Sequence, residues 1–352
     1  MALLLKSDEI WKILTMKACV ESCREAYRVL GKGEAINRPR SQVHVSLGEP
    51  GLYYLMKSME GILPATGVAA VRITSQLAHW FKAGGNLRKE KSNAVENGYL
   101  VGMVFLFDTE SGKLLSIMPD AVLDWFRLGA TNALAADYLA RKDAQVLALL
   151  GTGNHARTQT LGFIAVRDLK LIKVFSPNPE HRNKFCREMA GRTNVEIRAV
   201  NTSAEAVSGA DIVAAATNSR QPVLMEHWVR DGVHYSTILS YEAEPSLVNK
   251  ADVVVVNLRD ARGEIYSLPN DEVLSYYGGG KAPDYRAFSE LAEIVVGSAR
   301  ARSNPQEKTL FINNLGAGIQ FAAVANVVYR EARERKMGEE VSDRFFSHEV
   351  AK

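Results

Sequence analysis

Apolar positions near the start of the chain, at Ile10, Ile13, Leu14, Ala18, Ala26, Tyr27 and Leu30, recur at helical spacing, with Ser7 placed to cap and Gly31 and Gly33 to terminate. The pattern predicts a helix over Ser7–Gly31, because a 3.6-residue period lines one face with apolar side chains. From Gln42 to about Ile117 the pattern shortens to alternating or wholly apolar runs: Val43–Leu47, Tyr53–Met59, Val68–Ile73, Gly98–Phe107 and Leu114–Met118. Turn-forming clusters separate them, at Glu49–Gly51, Ala83–Asn86 and Thr109–Gly112, so the segment reads as an antiparallel or mixed sheet. Asp124–Ala140 then reads as a long alanine-rich helix.

After it the runs Ala144–Leu150, Ile172–Ser176, Glu196–Val200, Ile212–Ala216, Val233–Leu239 and Val253–Asn257 are continuous and apolar, with helical stretches between the earlier ones. Strands of this kind alternating with helices predict parallel βαβ units. Phe311–Arg335 reads as a last long helix and Glu339–Lys352 as a polar, loosely held tail.

Composition narrows the class. The chain has 352 residues, 47% hydrophobic and 24% charged, with a formal net charge of +3. Those are globular values, and without a basic stripe a nucleic-acid partner is not expected. The longest apolar runs, Val146–Gly151 and Val253–Val256, fall short of the roughly 20 residues a membrane helix needs. Lys6, Asp8 and Glu9 interrupt the apolar N-terminus, which argues against a secretory signal. Cys19, Cys23 and Cys186 make neither a disulfide framework nor a metal set, and predict free thiols in a reducing cytoplasm.

The sharpest local signal is Gly151-Thr152-Gly153-Asn154-His155-Ala156, set between a predicted strand and a predicted helix. In that context Gly151 permits the tight turn, Gly153 lets the backbone approach a pyrophosphate, and Ala156 allows close packing, while the helix N-terminus offers N–H groups to phosphate. A dinucleotide cofactor follows. At the end of the second strand Ser176 stands where an NAD site carries an acid, and Ser176, Asn178 and Arg182 are expected to hold a 2′-phosphate, which favours NADP with NAD the alternative. Thr217, Asn218 and Ser219 follow another strand and are placed to run along the cofactor.

Taken with Arg38-Pro39-Arg40, Phe126–Ala140, Ala216–Pro222, Asp231–His234, Gly263-Glu264, Glu290–Gly297 and Asn313–Gln320, this loop resembles the ornithine cyclodeaminase/μ-crystallin family over nearly the whole chain. The resemblance implies an α/β fold. A Rossmann-type doubly wound domain, residues 126–310, is inserted into an α+β substrate-binding and dimerisation domain of residues 1–125 and 311–352. It also implies a homodimer. It places Gly316 and Gly318 near the nicotinamide and gives Arg40 and Arg127 to a substrate carboxylate, with Arg72 where relatives carry a lysine. Arginine grips a carboxylate well but exchanges no proton near neutral pH. Lys57 is a substitute amine. The catalytic aspartate of the cyclodeaminases has no counterpart in Ser236–Pro245, where Glu242 and Glu244 are the available carboxylates.

A cofactor with a carboxylate clamp predicts an NAD(P)-dependent oxidoreductase acting on an amino acid, imino acid or 2-oxo acid. Proton-relay candidates are His79, His44, Tyr54 and Glu242, with His234 structural. The alternatives are a lyase that recycles its cofactor and a non-catalytic binder of NADPH and a small acid.

Overall fold

The structure is a computed structural model that describes residues 1–83, 86–92, 100–259, 264–268 and 284–348. The predicted first helix is two: α1 (Ser7–Ile13) and α2 (Met16–Gly31). The break falls at Leu14, whose backbone is extended, because the Thr15 side chain accepts from Ala18 N and starts a new helix. Strands then follow in chain order after β1 (Ala2–Leu4): β2 (Ile36–Asn37), β3 (Ser41–Ser46), β4 (Leu52–Leu63), β5 (Val68–Ala83), β6 (Asn86–Ser92), β7 (Val101–Asp108) and β8 (Leu114–Pro119). β4 and β5 run well beyond the expected Tyr53–Met59 and Val68–Ile73, pairing antiparallel from Leu52↔His79 to Leu63↔Val68. Gly84 and Gly85, and most of the segment before Val101, lie outside the described residues.

Helix α3 (Asp120–Leu139) begins four residues earlier than expected and leads into the parallel part. There follow β9 (Val146–Leu150), α4 (Asn154–Val166), β10 (Leu171–Phe175), α5 (Pro179–Ala190), β11 (Glu196–Ala199), α6 (Ser203–Val207), β12 (Ile212–Ala215), β13 (His234–Thr237), α7 (Pro245–Lys250), β14 (Val253–Val256), β15 (Glu264–Ser267), β16 (Ser289–Glu290), α8 (Leu291–Val296), β17 (Thr309–Ile312), α9 (Gly318–Glu334) and β18 (Glu339–Val341).

Among the described residues the strands form two sheets. One is all parallel in the order β11-β10-β9-β12-β13-β17-β14-β16; the other is mixed, β15-β3-β4-β5-β7-β8-β1-β18, with β2 on β4 and β6 on β5. Three expectations differ. The last helix starts at Gly318, not Phe311: Phe311 and Ile312 are fully buried in a strand between β13 and β14. The tail is tied down where β18 pairs with β1 at Ala2↔Val341. Of the stretch 126–310, β15 joins the mixed sheet against β3, and β17 runs past residue 310.

Period-two alternation gives the mixed sheet two unlike faces. The inner face carries Leu55, Lys57, Met59, Arg72 and Thr74, paired across β4 and β5, and lies under α9. On the outer face Val43, Met56 and Met103 are 37–40% exposed. Contact between α9 and β4 is backbone on backbone. A Cβ at Gly318 would lie 2.0 Å from Glu60 O, and one at Gly61 2.2 Å from Ile319 N. Gly318→Ala should therefore lower the thermal midpoint by several degrees, as overpacking of about 1–3 kcal/mol does. An unchanged melting curve would show that α9 can lift off β4 at no cost.

Candidate active site

Strand β9 delivers the chain to the predicted dinucleotide loop. Gly151 has φ +119°, and a Cβ there would lie 2.2 Å from Ala216 O, so glycine alone lets the turn pass the end of β12. Gly153 caps α4 with no side-chain hydrogen bond, and a Cβ there would meet nothing within 4 Å. The first N–H groups of α4 thus face open space, as a phosphate site requires. Ala156 is fully buried against the sheet. A cleft of about 880 Å³ opens here, lined by Gly151, Thr152, Gly153, Asn154, His155, Ser176, Thr217, Asn218 and Ser219 among others. It lies where β9 separates β10 from β12, the point at which the strand order reverses and α/β folds bind ligands. The residues present fit a dinucleotide cofactor.

Two of the expected 2′-phosphate ligands do not face the cleft. Asn178 caps α5, its Oδ1 accepting from Glu180 N at 2.8 Å and His181 N at 3.2 Å. Arg182 is buried and donates to Ser176 O at 2.6 Å and Asn201 Oδ1 at 3.1 Å, fastening β10 to the loop after β11. His181 and Lys184 line the cleft instead.

Glu242 is likewise not a proton relay. It is fully buried, and its carboxylate accepts from Thr217 N, Thr217 Oγ1, Ile238 N and Leu239 N at 2.7–3.0 Å. Burial pushes its pKa up against those bonds. Its work is to tie the Thr217 loop to the turn after β13. His79 falls on the outer face of β5, seven residues and so an odd step from Arg72, with Nε2 3.3 Å from Pro50 O. Tyr54 is on that face too, 3.1 Å from Ser75 Oγ. His44 is buried on the inner face, where burial and then Lys57 and Lys89 bring its pKa down to about 4. His234 is structural as expected, fully buried with Nδ1 2.9 Å from Thr309 Oγ1.

The structure does bring Arg72 and Arg127 together. Their Cζ atoms lie 5.0 and 5.1 Å from the ring of Phe321 in α9, one from β5 and the other from α3. Each has a carboxylate partner that the sequence reading missed. Arg72 Nε donates to Asp120 Oδ2 at 2.8 Å and Nη2 reaches the same oxygen at 2.6 Å; Arg127 Nη2 donates to Asp124 Oδ1 at 2.6 Å. Arg72 Nη2 is 3.8 Å from that Asp124 oxygen, so Asp124 joins the two. The spacing of Asp120, Asp124 and Arg127, four then three residues, was the available signal, since it marks one helical face. Burial works to raise the Asp124 carboxyl, but Arg127 and Arg72 overcome it and hold the group well below its usual range. Burial raises Asp120, against Arg72.

Arg127 is held on its other side by Gln320, which accepts from Nη1 at 2.8 Å and donates to Tyr27 Oη and Thr131 Oγ1 at 2.7 Å. Gly316, expected at the cofactor, serves this arginine: a Cβ there would lie 2.7 Å from Arg127 Nη1. Gly318 packs on β4 as described above. Arg40, beside the start of β3, hydrogen-bonds Gln42 at 3.0 Å when the Gln42 amide is turned oxygen-inward. The arginine cluster meets the dinucleotide loop through Asp124, whose Oδ2 is 3.8 Å from His155 Nε2. Burial lowers the His155 pKa, with Asp124 opposing.

The chain is similar to known proteins over most of its length. Delta(1)-pyrroline-2-carboxylate reductase of Bacillus cereus is 30% identical over 246 residues, 68% of this chain and 74% of that protein. Alanine dehydrogenase of Archaeoglobus fulgidus is 26% identical over 350 residues, 96% of this chain and 98% of that protein. A solved structure of Thermococcus litoralis Delta(1)-pyrroline-2-carboxylate reductase, in complex with NADH and L-proline, matches with a TM-score of 0.78 at 28% identity, covering 96% of this chain and 100% of that one. The model of one family runs from residue 2 to residue 336, and the chain belongs to it: the ornithine cyclodeaminase/mu-crystallin family.

Proposed function

We propose that this chain is an NAD(P)-dependent oxidoreductase that reduces a C=N bond beside a carboxylate. The observation that carries the reading is the contact of Asp124 with both the arginine cluster and His155 of the dinucleotide loop. It sets a carboxylate-recognising group next to the cofactor cleft. The relatives named above are reductases of a cyclic imino acid and an amino-acid dehydrogenase, chemistry of the same class. When bound, the nicotinamide supplies the hydride. Gly151–His155 hold the pyrophosphate and Thr217–Ser219 run beside it. Arg40, Arg72 and Arg127 orient the substrate carboxylate. Asp120 and Asp124 balance those charges, so the site as a whole suits a zwitterion, which a protonated imino acid is.

The test is loss of NADPH absorbance on adding cyclic imino acids, or 2-oxo acids with ammonia or methylamine. Net consumption of cofactor supports a reductase; turnover without it would be a lyase, and tight binding without turnover a binding protein. Arg127→Lys keeps the charge beside Asp124 but loses the planar grip, and should raise KM for the carboxylate substrate about tenfold. An unchanged KM would remove Arg127 from the clamp. Alanine there is the poorer probe, because Asp124 would keep only its longer contact to Arg72, and breaking a buried pair costs about 3–5 kcal/mol of stability.

With Arg182 engaged in the fold, the 2′-phosphate of NADPH falls to Lys184, a 67% exposed side chain on the cleft wall. Lys184→Ala should weaken NADPH about tenfold and NADH little, read by nicotinamide fluorescence. Equal losses would place Lys184 away from the phosphate. The apolar outer face of the mixed sheet supports a homodimer. Met56→Lys should convert the dimer to monomer in light scattering, and a wild-type monomer would end that reading. The thiols Cys19, Cys23 and Cys186 are free, in keeping with a cytoplasmic location. No helix among the described residues is long and apolar enough to cross a membrane.

A further inference from the structure

Helices α3 and α4 cross backbone on backbone. A Cβ at Gly129 would lie 2.6 Å from Thr158 O, and one at Gly162 2.6 Å from Gly129 O. The crossing brings the first turn of α4 against the N-terminal part of α3, and so His155 to Asp124. The oxygens of Asp124 are divided there. Oδ1 meets Arg127 at 2.6 Å and Arg72 at 3.8 Å, while Oδ2 is turned to His155 Nε2 at 3.8 Å. That last distance is within an ion pair's reach and longer than a hydrogen bond. The same imidazole lines the cofactor cleft. Its Nδ1 is buried and bonded to no described residue. One turn along α4, Gln159 is fully buried, with neither its amide oxygen nor its amide nitrogen bonded to a described residue. Residues four apart share a helix face, about 5–6 Å between Cβ atoms, a gap that one internal water spans. Buried polar groups of this kind call for such a partner.

We propose that His155 is the proton carrier of the site: a substrate carboxylate on Arg127 and Arg72 loads a proton onto its Nε2, and the imine nitrogen receives that proton. The proposal rests on the reductase reading and names the residue that supplies its proton. Charge is the reason. The two arginines balance Asp120 and Asp124 by themselves. A carboxylate added to them leaves the cluster with negative charge in excess, and the imidazole facing Asp124 is placed to answer it. Burial lowers the His155 pKa most, Asp124 opposes, and Arg127, Lys91 and Arg72 lower it further. A substrate carboxylate cancels the pull of the two arginines and leaves that of Asp124. Asp120, the other titratable group of the cluster, is bound at Oδ2 by Arg72. Once protonated, the ring donates from both nitrogens, from Nε2 to Asp124 and from Nδ1 through water to Gln159. An imino acid enters as its anion. Nε2 gives its proton to the imine nitrogen, which makes the zwitterion, and the ring returns to neutral. The hydride of the bound nicotinamide then forms the new C–H bond, the C=N π pair passes to nitrogen, and amine and oxidised cofactor result.

The test is calorimetry of pyrrole-2-carboxylate, an aromatic anion that offers no C=N bond to reduce, binding to the NADP-loaded protein near neutral pH. Repeated in buffers of different ionisation enthalpy, it should show uptake approaching about one proton per chain. His155→Gln keeps an N–H toward Asp124 but takes no proton. It should bind NADPH as the wild type does, lose the uptake, and reduce cyclic imino acids with kcat down about a hundredfold, as loss of a general acid does. His155→Asn serves if that variant does not fold. Gln159→Leu leaves Nδ1 without its relay and should lower the uptake; an unchanged value overturns the part given to Gln159. Uptake that persists in His155→Gln overturns the proposal, since Asp120 or the ligand would then hold the proton. So does wild-type binding with no uptake, or an unchanged kcat in His155→Gln, and either leaves the reductase standing. Uptake lost in His155→Gln supports the proton site even where the wild type reduces no imine, in which case the reductase reading alone fails. A probe that does not bind overturns the clamp and the carrier together.

Discussion

Two buried guanidiniums at the junction of the sheets set the terms for much of the molecule. Arg72 and Arg127 have side-chain exposures of 13% and 6%, and charges so placed require counterions within the fold. Asp120 and Asp124 supply them from one face of α3, Phe321 offers its ring from α9, and Gln320 fixes the far side of Arg127. The start of α9 must then come down on β4, which only glycine at 61 and 318 allows. Packing, charge balance and the position of the two arginines are thus one constraint, reaching β4, β5, α3 and α9 together.

The cofactor side depends on a different buried group, the carboxyl of Glu242. Glu242 spends its carboxylate on the Thr217 loop and on the backbone after β13, so the wall of the cleft is pinned from behind. Arg182 and Asn178 act in the same way at the opposite wall. Polar residues near a cofactor loop therefore divide into those that face the ligand and those that shape the loop. Sequence position alone does not separate the two kinds, because both lie within a few residues of a strand end.

Legibility followed period and length. The glycine loop and the parallel series were readable because strand, turn and helix each have a local cause. Arg127, one helix turn past Asp124, lies within the helix that the alanine-rich pattern predicts. What failed was reach along a strand. With β5 taken to end near Ile73, His79 fell in a loop and could be imagined at the clamp. Once β5 continues to Ala83, parity sends His79 to the other face. Phe311 and Ile312 were absorbed into the last helix because a short buried strand has no period of its own; the pairing of β17 with β13 and β14, distant in sequence, decides it. Charge partners such as Arg72 and Asp120, 48 residues apart, were invisible for the same reason.

The arginine at position 72 also changes what the site can do with a proton. A guanidinium stays charged at any working pH, so it can orient a substrate but not acidify its nitrogen. Glu242 is sealed behind the cofactor loop and His79 and Tyr54 lie across the sheet; among the described residues Asp120, Asp124 and, 3.8 Å from Asp124, His155 are titratable groups beside the two arginines. Arg127 and Arg72 keep Asp124 ionised, which suits it to face a cationic iminium. Asp120 is the carboxyl that burial raises, with Arg72 bound at its Oδ2. Two carboxylates one helical turn apart are thus pushed in opposite directions by their surroundings, Asp124 by two guanidiniums and Asp120 by burial against one. The arginine at position 72 is therefore held by the same helical face of α3 that holds Arg127, and the two guanidiniums and two carboxylates stand or fall as one group.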